Sequence, residues 1–167
     1  MSRKHLLVLI FIIPFFALAQ NDCNCCSEEH KGFDFWVGTW VVSNTNGSLA
    51  GNSVISKEEK GCVIRENWTS SQSGFTGTSL NFYNAKTEQW EQLWIDNAGN
   101  HLKLKGNRFD NQMILASEPF THNDGNIYTN RITWTKNKDG TVRQLWELLE
   151  GRKVKNVLFD GMYRKKE

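Results

Sequence analysis

Proline and histidine are scarce in this chain, and each scarcity excludes something. Only two prolines and four histidines occur in 167 residues, and Pro119 is the one proline after Pro14. Because proline removes a hydrogen bond from a β-ladder, its near absence leaves room for long uninterrupted strands. Haem and many metal sites are built on histidine, but His101 and His122 border loops. The sequence therefore predicts no metal and no cofactor.

An excess of charge of either sign is also missing. The chain has 20 basic and 18 acidic residues, and loss of Arg3 and Lys4 with a signal peptide would leave 18 of each. Without an evident basic face, nucleic acid has little support as a partner. The basic run at 164–166 is expected to be a solvated tail. No Gly-rich phosphate loop and no Ser-His-Asp arrangement occurs either.

Residues 1–19 have the features of a secretory signal peptide. A short basic region is followed by an apolar run over residues 6–18, which ends in a small-x-small cleavage site. The run is short for a spanning helix and contains Pro14, so no membrane insertion is expected after cleavage. The mature protein is then secreted or periplasmic, and the sequence does not indicate its oligomeric state.

The remainder of the chain is predicted to be a cysteine-rich tail at 20–32 followed by one domain at 33–167. Turns with glycine or asparagine recur between β-branched and aromatic runs, a pattern typical of an antiparallel sandwich or barrel. A weak helical candidate at 28–31 precedes the first strand. The ten predicted strands are 35–43, 51–58, 62–70, 76–84, 88–96, 101–105, 111–117, 127–136, 141–150 and 154–164.

Four cysteines, Cys23, Cys25, Cys26 and Cys62, raise a choice between disulfides and a metal site. In an exported protein an even number favours disulfides. A bridge between the adjacent Cys25 and Cys26 would be strained, so Cys62 is expected to pair with one of the other three. The alternative is a metal site that adds His30 to the cysteines, but its crowded spacing is unlike that of zinc sites.

Four predicted strands share one pattern, in which a polar side chain lies between large apolar neighbours on the same face. A buried polar group without a partner costs roughly 1–3 kcal/mol, so four of them indicate an internal network or a polar patch in a cavity. In the first case Glu66 pairs with Gln92, Asn130 or Gln144 and ties the barrel shut. In the second case the ligand-binding residues are Glu66, Trp68, Gln92, Trp94, Asn130, Trp134, Gln144 and Trp146.

Glu66 is the one candidate catalytic residue. Between Ile64 and Trp68 its pKa should rise in dry surroundings, which suits a general acid or base. A pair of catalytic carboxylates is not predicted, because Asp96 lies near a strand end and Glu147 falls on the face opposite to its tryptophan neighbour.

The segment 33–40, with a glycine two residues before a tryptophan, resembles the opening of calycin-like barrels of the lipocalin and nitrobindin kind. The chain is also similar to the DUF1579-type family, exported bacterial proteins of unknown function. The further segments that carry this resemblance are 61–68, 81–84, 90–96, 142–147 and 159–164.

The resemblance implies a single antiparallel up-and-down β-barrel of about 8–10 strands with a central pocket, and it brings no settled activity. In lipocalin-like barrels the tryptophan is packed by a basic residue near the last strand, parts that Trp40 and Arg164 would take here. Nitrobindin-like proteins bind haem through a late histidine, but none follows His122.

Three functions are consistent with these observations. The first is an exported barrel that binds a small, partly apolar ligand in its lumen without catalysis. The second is a small-molecule enzyme, an isomerase, cyclase or hydrolase, that uses Glu66 as acid or base. The third is a filled barrel that acts as an interaction domain.

Overall fold

A computed structural model describes residues 23–166, so the predicted signal peptide at 1–19 lies outside the described residues. Within the described part the protein is all-β, with two short 3₁₀ turns at Asp34–Trp36 and Glu59–Gly61. No helix in this part is long and apolar enough to cross a membrane. The strands are β1 (Gly38–Asn44), β2 (Leu49–Glu58), β3 (Val63–Ser70), β4 (Thr76–Asn84), β5 (Gln89–Asp96), β6 (His101–Phe109), β7 (Gln112–Ala116), β8 (Phe120–Thr121), β9 (Ile127–Lys136), β10 (Val142–Glu150) and β11 (Lys153–Lys165).

Ten of these strands form a closed antiparallel barrel. Strands β1 to β7 pair in sequence order, β7 pairs with β9, and β9, β10 and β11 follow. The pairing of β11 with β1 closes the ring, and the two-residue β8 adds to β9 outside this cycle. Closure leaves no long unpaired edge, which removes the hazard of edge-to-edge association. The predicted fold, a single antiparallel up-and-down barrel, is confirmed.

The predicted strands correspond to β1–β7 and β9–β11, and the differences at their ends have local causes. The first strand begins at Gly38 rather than at residue 35, because Gly38 adopts a φ of 148°, which favours glycine. Strand β6 continues past residue 105, because Gly106 lacks the Cβ that would collide with the Ile114 backbone. The helical candidate at 28–31 is wrong, since these residues form turns.

Aromatic side chains fill one end of the barrel, and we call Phe33, Trp36 and Trp40 the aromatic plug. All three are fully buried. Phe33 stacks on Trp36 with ring centroids 4.9 Å apart, and the Trp40 Nε1–H donates to the Trp36 carbonyl at 2.8 Å. Since aromatic rings bury large apolar areas, the plug acts as the core of the barrel floor.

The basic residue packed on Trp40 is Lys165, so the expectation of Arg164 is wrong. Lys165 Nζ lies 5.6 Å from the centroid of the Trp40 ring. The register of β1 and β11 pairs Trp40 with Lys165 and Val41 with Arg164, and successive side chains point to opposite faces of a strand. Lys165 therefore belongs to the fold rather than to a solvated tail.

Two disulfides anchor the N-terminal tail. Cys25 is bonded to Cys62, which immediately precedes β3, and Cys23 is bonded to Cys26 within the tail. Cys62 thus pairs with a member of the N-terminal cluster, as the sequence predicts. The alternative metal site lacks its thiolate ligands, because all four sulfurs are in disulfides. Such bridges are typical of proteins in oxidising compartments.

Candidate ligand-binding site

Beyond the aromatic plug the barrel contains a cavity of about 170 Å³. Trp134 separates the two, because it contacts Phe33 of the plug at a centroid distance of 5.1 Å and also lines the cavity. The barrel is therefore filled at one end and hollow beyond it. The lining residues are Glu66, Trp68, Phe75, Gln92, Trp94, Leu102, Ile132, Trp134, Gln144, Trp146, Leu158, Phe159 and Tyr163.

The structure brings seven of the eight predicted ligand-binding residues to this cavity, and Asn130 is the exception. Asn130 is buried, and its Oδ1 accepts a hydrogen bond from Trp146 Nε1 at 2.8 Å. A buried indole N–H usually has such a partner. Asn130 thus holds a wall of the cavity in place without lining it.

Aromatic rings form much of the cavity wall. Trp68 and Phe159 meet edge to face, with centroids 6.1 Å apart. Trp94 and Trp146 do the same at 6.4 Å. The face of an aromatic ring is electronegative and its edge is electropositive. These walls therefore interact with a ligand electrostatically as well as through apolar contact.

Three glycines make room for wall rings. A Cβ added at Gly77 would lie 3.0 Å from the Trp94 indole, which is tighter than side chains normally pack. At the other two positions the added atom would come closer still. The pairs of glycine and ring are Gly51 with Trp68, Gly77 with Trp94, and Gly161 with Phe159.

Glu66 provides the carboxylate of the cavity and is only 5% exposed. Its Oε1 accepts a hydrogen bond from Ser53 Oγ at 2.8 Å, and its Oε2 accepts one from Ser79 Oγ at 3.1 Å. Among the ion pairs of residues 23–166, none includes Glu66. The carboxylate is therefore held by hydroxyl groups, with no cation beside it.

A relay of amides reaches Glu66 through Ser79. Asn81 Nδ2 donates to the Ile64 carbonyl at 2.9 Å and to Ser79 Oγ at 3.0 Å. With both amide hydrogens used, Asn81 Oδ1 accepts from Gln92 Nε2 at 2.6 Å. The alternative of a direct pairing of Glu66 with Gln92, Asn130 or Gln144 is not observed. Gln92 connects to Glu66 through Asn81 and Ser79, and the other two amides bind Trp146 and Tyr163.

Burial sets the protonation of the two titratable groups in the cavity. Desolvation raises the pKa of Glu66 to about 7, although hydrogen bonds from Ser53 and Ser79 oppose the rise. Desolvation and the neighbouring carboxylate raise the pKa of Tyr163 well above its ordinary value. Tyr163 stays neutral near pH 7 and donates its hydroxyl hydrogen to Gln144 Oε1.

The other two carboxylates considered from the sequence lie elsewhere. Asp96 accepts the backbone N–H of Asn100 at 2.9 Å and so stabilises the turn after β5. Glu147 pairs with Arg131 at 2.8 Å, on the face of β10 opposite to Trp146. Within the described residues, neither of them joins Glu66 in a catalytic pair.

Four polar residues of the site escaped the sequence analysis: Ser53, Ser79, Asn81 and Tyr163. Small polar residues on alternating strands are typical of a solvent-facing surface, so their types carried no signal. The signal lies in strand register, which sets Ser79 directly opposite Glu66. On β11, Tyr163 shares its face with Phe159 and Gly161, and that alternation was available in the sequence.

Replacing Ser79 with alanine is expected to destabilise the protein by about 1–3 kcal/mol at pH 8, and by less at pH 5. At pH 8 the ionised Glu66 loses a charge-assisted donor, whereas at pH 5 it is protonated. Urea unfolding at both pH values measures the difference. Ser56→Ala, whose hydroxyl donates to Glu58, is the matched control. An equal loss for Ser79→Ala at both pH values would contradict the interpretation.

The closed ten-stranded antiparallel barrel, with a plug at one end and a cavity beyond it, is consistent with a calycin-like barrel. No family model and no curated protein matches this chain. Its function is therefore argued from the cavity itself, because a barrel fold supports many unrelated activities.

Proposed function

We propose that this protein is an exported, non-catalytic barrel that binds one small, partly apolar ligand in its cavity. The observation that carries the proposal is a cavity walled by aromatic rings and provided with a few buried polar groups. Such a combination is typical of small-molecule sites, where apolar walls supply contact area and polar groups orient the ligand. The signal-peptide features of residues 1–19 and the two disulfides support export.

The volume of the cavity limits the ligand. At about 170 Å³ it is close to an engineered apolar cavity of about 150 Å³ that binds benzene in another protein. It is smaller than the roughly 300–1,000 Å³ of sites that enclose drug-sized molecules. A ligand of about one ring with a short substituent fits this space.

The resemblance of segments 33–40 and 61–68 supports a place among the DUF1579-type exported proteins. This assignment rests on the sequence pattern of the chain and adds no activity. The filled-barrel interaction domain has less support, because side chains fill the plug end while the cavity lies beyond Trp134.

Native mass spectrometry of the protein purified from its own export compartment tests the proposal. We expect a copurifying small molecule, and we expect Leu102→Trp to displace it because Leu102 lines the cavity. Leu80→Trp is the matched control, since Leu80 is an exposed residue. A clean ligand-free mass, together with tryptophan fluorescence that does not change across a broad panel of metabolites, would overturn the proposal.

A second candidate is a small-molecule isomerase, cyclase or hydrolase. Glu66 titrates near pH 7 and shares the cavity with the neutral phenol of Tyr163, an arrangement suited to general acid–base chemistry. The protein is incubated with its copurified ligand, and products are sought by mass spectrometry. Product formation that Glu66→Gln abolishes would favour the enzyme over the binder.

A further inference from the structure

The cavity has an unbalanced set of charged groups. Among residues 23–166, its lining includes one carboxylate, Glu66, and no lysine, arginine or histidine. Tyr163 of β11 is the other titratable group that faces Glu66, whereas Ser53, Ser79 and Gln92 of β2, β4 and β5 carry no charge. An ionised carboxylate in a site of low dielectric is stabilised most effectively by a cation, and within the described residues the protein provides none.

Some of the polar groups at the cavity are acceptors that a ligand donor can use. Gln92 uses Nε2 to donate to Asn81, so its carbonyl oxygen is the end left without a donor among the described residues. The Glu66 carboxylate has about four acceptor positions, of which Ser53 and Ser79 occupy two. Acceptors therefore remain at the cavity beside two donors that have no partner within residues 23–166, Trp134 Nε1 and Gln144 Nε2. A protonated amine supplies up to three donors for the acceptors.

The aromatic walls are suited to the same charge. Four tryptophans line the cavity, and the indole face attracts a cation more strongly than the ring of phenylalanine or tyrosine does. Sites for organic ammonium ions combine such faces around the charge. Here four indole side chains and the carboxylate line one cavity of about 170 Å³.

We propose that the ligand is a small organic cation, a protonated amine with about one ring, and that Glu66 is its counter-ion between tryptophan walls. This inference rests on the proposed ligand-binding function and names the chemical class of the ligand. An anion is disfavoured by the carboxylate. A neutral compound of the same size gives the ionised Glu66 no counter-ion.

Three probes of similar size and different charge test the proposal on the purified protein with its disulfides formed. Benzylamine is cationic, benzyl alcohol is neutral and benzoate is anionic at pH 8. Isothermal titration calorimetry and tryptophan fluorescence measure their dissociation constants. We expect benzylamine to bind at least about tenfold more tightly than benzyl alcohol, because close charge pairs contribute strongly in desolvated sites. Benzoate is expected to bind most weakly.

Glu66→Gln is expected to abolish the preference for benzylamine over benzyl alcohol, because it removes the charge and retains the shape. The matched control is Glu91→Gln, which removes the same charge one residue away from Gln92. Successive residues of a strand point to opposite faces, and Glu91 forms a hydrogen bond with Asn84 instead. This control should keep the preference.

The outcomes separate the two proposals. Equal affinities for benzylamine and benzyl alcohol in the wild-type protein, or an amine preference that survives in Glu66→Gln, would overturn the cation inference and leave a ligand-binding cavity. Absence of binding for all three probes, with no copurifying molecule in the native mass, would overturn both. The comparison of probes on the wild-type protein decides the matter even where Glu66→Gln fails to fold.

Discussion

The double substitution Cys25→Ser and Cys62→Ser is expected to lower the free energy of unfolding by about 4 kcal/mol. The two cysteines are 37 residues apart in sequence, so their bridge closes a long loop in the unfolded chain and reduces its conformational entropy. The bridge also anchors the tail that leads into the aromatic plug, where Phe33 and Trp36 are fully buried. Urea unfolding followed by tryptophan fluorescence measures the loss.

The second disulfide provides the matched control. Cys23 and Cys26 are three residues apart, and the same entropy argument gives only about 2 kcal/mol for so short a loop. The double substitution Cys23→Ser and Cys26→Ser should therefore cost about half as much. Equal losses from the two pairs would show that loop length does not decide the effect.

The alternation of side chains along each strand made the barrel predictable, but local backbone geometry at the strand ends was not. Aromatic and β-branched runs between glycine-containing turns located ten strands of the closed ring. The errors fell where a glycine has a special role. Gly38 adopts a positive φ where the 3₁₀ turn that ends at Trp36 leads into β1, whereas Gly106 lies within a strand against the Ile114 backbone. The residue type alone does not distinguish these two uses of glycine.

Alternation along the strands also predicted part of the cavity lining. Trp68, Trp94 and Trp146 share faces with polar residues, so alternation pointed them inward, and all three line the cavity. Alternation does not show depth along the barrel axis. Asn130 faces inward as well, but it binds the Trp146 indole rather than lining the cavity.

The register between neighbouring strands is the feature that was hardest to predict from the sequence. The hydroxyl partners of Glu66 depend on the register of β3 against its neighbours, which sets Ser79 directly opposite Glu66. The sequence predicted Arg164 over Trp40, whereas Lys165 lies there. This is an error of one residue in the register of β1 against β11. One residue moves a side chain to the other face of the sheet.

The stability of the wild-type protein is expected to fall by about 3 kcal/mol through Glu66 as the pH rises from about 4.5 to about 7. Burial raises the pKa of Glu66 in the folded protein from its ordinary value of 4.5 to about 7. Between these two values the folded protein retains a proton that the unfolded chain has released, so raising the pH favours unfolding. Below about pH 4.5 the contribution is fully present, and above about pH 7 it is lost.

Urea unfolding of the wild-type protein and of Glu66→Gln between pH 4.5 and pH 8 isolates this effect, because other titrating groups are common to both proteins. The wild-type protein should lose about 3 kcal/mol relative to the variant over this range. Glu91→Gln controls for the change in net charge. Parallel pH profiles for the wild-type protein and Glu66→Gln would contradict the prediction. If the ligand is a cation, saturating benzylamine should flatten the wild-type profile, because a bound ammonium favours ionised Glu66 and restores stability above pH 7.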